Sequence, residues 1–508
     1  MAGRYSEVVS FVPALVSNLL LLLALAPPAA ARAPEPARDA RALAGELKAV
    51  LGNLPEAGAA CSADVVDLNS GQRIFEANAD TAMVPASNAK VFTLAAAIDG
   101  LGANFQFRTV LATRGTDLIV VGDGDPSLGD PELSEKEGRP ITAVFDEWAG
   151  QLKRKGPSVI QGDLVIDESI FDDQRLHPDW DKADIKSYFA PPVGALNFHD
   201  NCVEITIWPN EENGKPVHWS VNPSTSLIEM TNRCKSRGGN RPTIDRPQPT
   251  FDFVISGTCS QRSTFERIPG PDPGLFFADA LRARLAEQGV TLQGKIRRQR
   301  VRDGEGQVPG DCEVAAVHVT PLAQVTARVG KDSHNLSAEC LLKRLGYEFA
   351  KARGDAKPVG SWQTGRAAVQ AFLTRAGVEA GRVVVSDASG LSRSNRASAS
   401  DFTRVLAFMR RHREWELFSR SLSVAGRDGS LKKRMADVPG KVFAKTGYVS
   451  GVRTLSGYVE DPDRRLYCFS VLFNNVKKTT RPFNKVHDSV CRILATGQAE
   501  APSAAGDK

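Results

Sequence analysis

The sequence predicts a mixed α+β / α/β chain in which one domain of helices and sheet is interrupted by β-rich inserted material. Three observations predict it. Helical and strand patterns alternate from 41 to 98 and again from 318 onward, whereas strands dominate from 106 to about 200. A polar, Gly- and Pro-dense tract with short alternating strands then runs from 201 to 273. After Gly274 a helix ("LFFADALRARLAEQG") and a strand resume the style of the second segment, so the middle of the chain reads as nested. The division is 32–98 with 318–496 for the interrupted domain, 99–200 with 274–317 for a first insert, and 201–273 for a second. No fixed-period repeat is visible.

Taken in order, the chain opens with Arg4, an apolar stretch from Phe11 to Ala26, Pro27-Pro28 and the small residues Ala29 to Ala31. That order reads as a secretory signal peptide, 1–31, cut after Ala31 or Ala33. The alternative is an uncleaved anchor helix, although the apolar run is shorter than the roughly 20 residues a bilayer span needs. Either way the body is expected outside the cytoplasm, in the periplasm, with at most peripheral membrane contact. Residues 32–40 read as a flexible lead and 497–508 as a frayed polar tail. Between them come a helix at Arg41–Leu51, strands at Ala60–Asp67 and Gln72–Ala77, a helix after Pro85 that stops at Asp99-Gly100, and an amphipathic helix near Ile141–Lys155.

The 508 residues are 42% hydrophobic and 24% charged, which supports globular cores and excludes wholesale disorder. A net charge of +5 without a long basic block gives no nucleic-acid footprint. Eight cysteines in an exported chain permit disulfides, and Cys234 with Cys259, flanking a Gly/Pro-rich stretch, is the first pair expected to bridge. No Cys-x-x-Cys pair and no histidine cluster stands beside them, so no metal is expected, and no organic cofactor is implied. "VVGDGDPSL" (Val120–Leu128) alternates aspartate and glycine but lacks the spacing and final glutamate of a calcium loop, and reads as a turn.

Chemistry is suggested by "VPASNAKVFTLAAAIDG" (Val84–Gly100), where Ser87 lies three residues before Lys90. Residues three apart on a helix share a face, so the Lys90 amine can take a proton from the Ser87 hydroxyl. Alone the pattern is weak: Ser-x-x-Lys should occur about twice by chance in a chain this long, and Ser430 with Lys433 is a second match. Two further stretches complete a site. "KDSHNLSAECLLKRLG" places Ser333 and Asn335 on one turn at a helix start, as a proton relay and anchor. "VFAKTGYVSG" places Lys445, Thr446 and Gly447 on a strand, where glycine permits close approach. The N–H groups of Ser87 and Tyr448 would then form an oxyanion hole.

Ser87-Asn88-Ala89-Lys90, Ser333-His334-Asn335 and Lys445-Thr446-Gly447 resemble the three motifs of the penicillin-recognising serine enzymes. The long separation of Ser87 from Ser333 resembles the class C low-molecular-mass penicillin-binding proteins, the D-alanyl-D-alanine carboxypeptidase/endopeptidase family. "GDGDPSL" (122–128), "YFAPPVGALNFHDN" (188–201), "DASGLSRSN" (387–395) and "GRDGSLKKRM" (426–435) agree, the last setting aside Ser430-x-x-Lys433. The resemblance implies a β-lactamase/transpeptidase-like domain of helices around an antiparallel sheet, with two β-rich domains inserted after the nucleophile helix. It implies that Ser87 attacks the D-Ala-D-Ala bond, or a cross-link, of peptidoglycan stem peptides, and is acylated by β-lactam antibiotics. Lys90, kept neutral by burial and nearby Lys445, would be the base; Ser333 would relay the proton and Asn335 would anchor Lys90 and the acyl-side amide. Lys445 and Thr446 would bind the terminal carboxylate, while Arg393, Asp184 and Tyr448 would line the substrate pocket. His334 stands where the family commonly has aspartate, and Tyr448 and Ser450 reshape the leaving-group side. Rival readings are a β-lactamase-like hydrolase, which would need a deacylating base, and an inert peptidoglycan-binding scaffold. The 201–273 tract is expected to set substrate reach rather than chemistry.

Overall fold

The computed structural model describes residues 40–496 apart from positions 55, 57, 157, 248, 304, 305, 478 and 480. The signal peptide and tail read from the sequence lie outside them. Among the described residues no helix is long and apolar enough to cross a membrane.

The largest sheet has six antiparallel strands, in the order Ser423–Val424, Val442–Val449, Val452–Glu460, Leu466–Asn474, Ala60–Asp67 and Arg73–Ala77. Strand side chains alternate between faces, and in Leu466–Asn474 both sets are buried. Cys468 and Leu472 join the core beneath the helix Lys90–Leu101, whereas Tyr467, Phe469, Val471 and Phe473 join the core under Ala40–Gly52 and Arg481–Thr496.

The helix Lys90–Leu101 is apolar all round and buried from Lys90 to Ile98, as expected of a helix with neighbours on every side. Those neighbours are Leu322–Gly330, Asn335–Ala352, Trp362–Arg375 and Ala399–Arg410. The helix ends later than Asp99-Gly100 suggests: it runs through Leu101, and Gly102 at φ +78° turns the chain away.

The region expected as the first insert carries a five-stranded mixed sheet, ordered Ile296–Arg298, Leu164–Asp167, Asp117–Val121, Gln106–Arg114 and Glu313–Pro321, whose last strand runs past the expected boundary at 317. The second carries a three-stranded sheet, Ser263–Pro269 with Cys202–Trp208 and His218–Asn222, and a four-stranded sheet built on Asp252–Cys259. Leu111, Phe145 and Phe277 of the first segment and Val203, Ile205 and Phe253 of the second fill one continuous core.

The bridge expected between Cys234 and Cys259 is absent, because all eight cysteines are free thiols. The stretch between them contains the strand Arg241–Asp245, whose ladder to Asp252–Cys259 already fixes it. Both thiols pack in the shared core as small apolar groups.

Candidate active site

Ser87 lies in a 3-10 turn, Ala86–Ala89, that leads into the buried helix. The Lys90 amine donates to Ser87 Oγ at 3.1 Å, to Asn335 Oδ1 at 2.7 Å and to the Ser389 carbonyl at 2.7 Å. All three acceptors are neutral, and the lysine is fully buried. Burial holds its amine down at about 7, against the opposing pull of the Glu339 and Asp387 carboxylates. The expected help from Lys445 falls mainly on the other partner: Lys445 is lowered well below the usual lysine range, first by burial and then by the charge of Lys90.

Ser333 is held at φ +58°, a left-handed backbone that a non-glycine residue rarely adopts. Its hydroxyl accepts from Lys445 Nζ at 2.8 Å. Asn335 opens the helix Asn335–Ala352 and spans the site, taking the Lys90 proton donor on its oxygen while its nitrogen donates to the Phe189 carbonyl at 2.6 Å. His334 points elsewhere, to Ser337 Oγ at 2.8 Å and toward Asp200.

Lys445, Thr446 and Gly447 lie on the strand Val442–Val449. The close approach that Gly447 permits is that of its strand to the turn carrying Ser87. A Cβ there would collide with Thr454 Oγ1 and stand 2.9 Å from the Pro85 carbonyl and 3.0 Å from the Asn88 nitrogen, so the missing side chain lets the strand press against the nucleophile turn. Asn88 completes that joint. Its amide meets Ser456 Oγ at 2.7 Å and, with its nitrogen turned to the strand, donates to the Lys445 carbonyl at 2.6 Å.

A cavity of about 950 Å³ opens onto Ser87, Ser333, Asn335, Thr446, Tyr448, Arg393 and Asp184, with Lys90 and Lys445 buried behind its wall. Arg393 donates to the Ser450 carbonyl at 2.8 Å. Asp184 faces it, its carboxyl raised by partial burial and by Asp181 and lowered by Arg393. Tyr448 is 61% exposed, with the Arg453 guanidinium 3.4 Å above its ring.

Two acids escaped the sequence reading. Glu339 lies one turn after Asn335, fully buried, and accepts from Trp362 Nε1 at 2.8 Å, Ala388 N at 3.1 Å and Ser389 N at 2.8 Å. Burial and the neighbouring Asp387 push its carboxyl up to about 7. It thereby fixes the loop whose Ser389 carbonyl receives Lys90. Asp387 knots the same loop by accepting from Gly390 N, Ser392 N and Asn395 Nδ2. The available signal for Glu339 was its place in "AECLL", a charge where every neighbour is apolar.

A serine in contact with a buried amine held at about 7, beside a cavity in which a second serine meets a second lysine, defines a serine acyl-transfer enzyme on a penicillin-recognising fold. The chain matches the D-Ala-D-Ala carboxypeptidase 3 (S13) family over residues 43–495. It belongs to that family of low-molecular-mass penicillin-binding proteins and is a serine-type D-alanyl-D-alanine carboxypeptidase. It is 31% identical over 486 residues to a D-alanyl-D-alanine carboxypeptidase of Actinomadura sp. (strain R39), covering 89% of this chain and 84% of that one. It is 27% identical over 413 residues to the D-alanyl-D-alanine carboxypeptidase DacB of Haemophilus influenzae, covering 77% and 81%. Among solved structures, penicillin binding protein 4 (dacB) from Haemophilus influenzae shares the fold, with a TM-score of 0.72 at 23% identity over 89% of this chain and 99% of that one.

Proposed function

We propose that Ser87 is the nucleophile that opens the bond between two D-alanine units of a peptidoglycan stem peptide and leaves an acyl-enzyme for water to hydrolyse. The observation that carries the reading is the 3.1 Å contact between Ser87 Oγ and a fully buried Lys90 amine held at about 7. A neutral amine at that distance can take the hydroxyl proton as the serine attacks. Ser333, in contact with Lys445, passes the proton to the leaving D-alanine nitrogen. The Ser87 and Tyr448 N–H groups receive the oxyanion, and Lys445 with Thr446 hold the terminal carboxylate. Arg393 and Asp184, both lining the cavity, recognise the stem-peptide side chain.

The same reading takes the enzyme as exported and acting in the periplasm, with 32–98 and 318–496 as its catalytic domain. Tyr448, on the cavity lining and 61% exposed, leaves that side of the pocket in solvent, which supports hydrolysis of cross-links as well as of free stems. The test is intact mass after brief incubation with benzylpenicillin, beside Ser87→Ala. One long-lived penicilloyl group on the wild type alone, with release of D-alanine from a pentapeptide stem, is the expected result. A fleeting adduct would move the protein to the β-lactamases, and no adduct on folded protein would make it a scaffold.

A further inference from the structure

Among the described residues, the 201–273 tract contributes one side chain, Arg267, to the lining of the cavity that opens onto Ser87. Strand Ser263–Pro269 pairs with Cys202–Trp208, but the register slips between Phe265 and Ile268, and within that bulge Arg267 stands at φ +55°. Bulges re-aim side chains, and a left-handed backbone in a long residue persists only where its surroundings hold it. This one directs the Arg267 guanidinium to the cavity wall.

From there two routes lead to Asn335. In the first, the guanidinium lies 4.2 Å above the Tyr188 ring, Tyr188 packs edge-on against Phe189 at 5.6 Å, and the Phe189 carbonyl accepts from Asn335 Nδ2. In the second, Arg267 Nη2 is 3.5 Å from Asp200 Oδ2, and Asp200 Oδ1 is 3.4 Å from Nε2 of His334, the residue between Ser333 and Asn335. Burial alone would raise the Asp200 carboxyl, but His334, Arg328 and Arg267 hold it at about 2, so it is a fixed negative link between the two sides. Asp130, Asp200 and His334 have the spacing of a cation site, with ligand atoms within 4.8 Å. Arg328 at 2.8 Å from Asp130 and Arg267 on Asp200 already supply the positive charge, so the cluster is an ion-pair hub. Asp200 and Ser333 are left-handed as well, at φ +55° and +58°. Three strained residues therefore lie along the second route, and such strain gathers where function fixes a geometry.

We infer that Arg267 is a positioning residue for the catalytic centre, supplied by the second inserted segment, which holds Asn335 and through it the Lys90 amine against Ser87. The inference rests on the proposed roles of Ser87 and Lys90. It revises the expectation that the 201–273 tract sets substrate reach and leaves the chemistry alone.

The test is the pre-steady-state acylation of the full chain by benzylpenicillin, resolved into the initial binding constant K and the acylation rate k2, for Arg267→Asn and Arg267→Lys. Asparagine accepts a left-handed backbone better than arginine, so the bulge survives without the guanidinium. Lysine keeps the charge toward Asp200 but cannot stack flat on Tyr188. The expected result is a fall in k2 of about 10- to 100-fold for the asparagine variant, the size typical of a small misplacement of reacting groups. The lysine variant should lose less, and K and the labelling of one site per chain should stay at wild-type values. An unchanged k2 in both variants would overturn the inference. So would a loss confined to melting temperature or labelled fraction, because that is what a merely structural arginine gives. Failure of the wild type to label at all would instead refute the proposed nucleophile.

Discussion

Thr446 Oγ1 donates to Ser430 Oγ at 2.8 Å. The serine of the chance Ser-x-x-Lys match is thus a neighbour of the substrate site, where its hydroxyl also meets Ser423 Oγ at 3.0 Å. Two hydroxyls in contact can exchange roles, so when a substrate carboxylate takes the Thr446 proton, Ser430 donates to Thr446 Oγ1 and holds it in place. Ser430→Ala should raise KM for stem peptides about two- to tenfold, the worth of one neutral hydrogen bond, with little change in kcat. Steady-state kinetics of D-alanine release checks the split. An equal fall in kcat would show that Ser430 acts on the chemical step.

Lys90 gives the pH dependence its sign. In the proposed reaction its amine is the base only when neutral, and burial has lowered it to about 7. Acylation at low benzylpenicillin concentration should therefore rise about tenfold per pH unit below that point and level off above it. Lys445 is lowered well below the usual lysine range, so the binding of carboxylate-bearing ligands should weaken as its charge is lost with rising pH, earlier than an exposed lysine would allow. Stopped-flow acylation from pH 5 to pH 10 is the measurement. A flat profile across pH 7 would remove Lys90 as the base.

Glu339→Ala strands three buried N–H donors, those of Ala388, Ser389 and Trp362. Each buried orphan costs about 1–3 kcal/mol, with relaxation recovering part of it. The variant should lose at least about 2 kcal/mol in denaturant unfolding, and the fraction that remains folded should acylate slowly because the Ser389 carbonyl no longer steadies Lys90. Glu339→Gln, which keeps an acceptor, should lose less of both.

Gly447→Ala sets a methyl group against Thr454 and the nucleophile turn. Overpacking of this kind costs about 1–3 kcal/mol. The strand Val442–Val449 must retreat from Pro85 and Asn88, carrying Lys445 with it, so acylation should fall more steeply than stability. Melting temperature and k2 measured on the same sample separate the two effects.

The parts of the site readable in advance were those in which a residue's role follows from its own type and local spacing. Ser87 with Lys90, Ser333 with Asn335 and the Lys445 strand each advertise themselves within four residues. The strand Ala60–Asp67 and the helix Ala40–Gly52 were legible for the same reason, since hydrophobic period is a local property. Glu339, Asp387 and Arg267 were not legible. Glu339 matters because of Trp362 and the 388–389 backbone, Arg267 because of Tyr188 and Asp200, and only the folded chain brings those partners together. The Cys234–Cys259 expectation failed on similar ground: proximity in sequence was read as a need for a bond, whereas a β-ladder already holds the segment. Gly447 was found for its motif, but its physical reason, a crowded joint with Pro85 and Asn88, belongs to tertiary packing.

The continuous core shared by the two inserts means that the second cannot be lifted out like a cassette. Cutting away 201–273 would strip Val203, Ile205 and Phe253 from Leu111, Phe145 and Phe277, and the remnant would show water an apolar wall. Its failure would be one of solubility, whatever the segment does for the substrate. Swapping this segment for a relative's carries the same penalty unless the facing wall, Leu111, Phe145 and Phe277 among it, is exchanged as well.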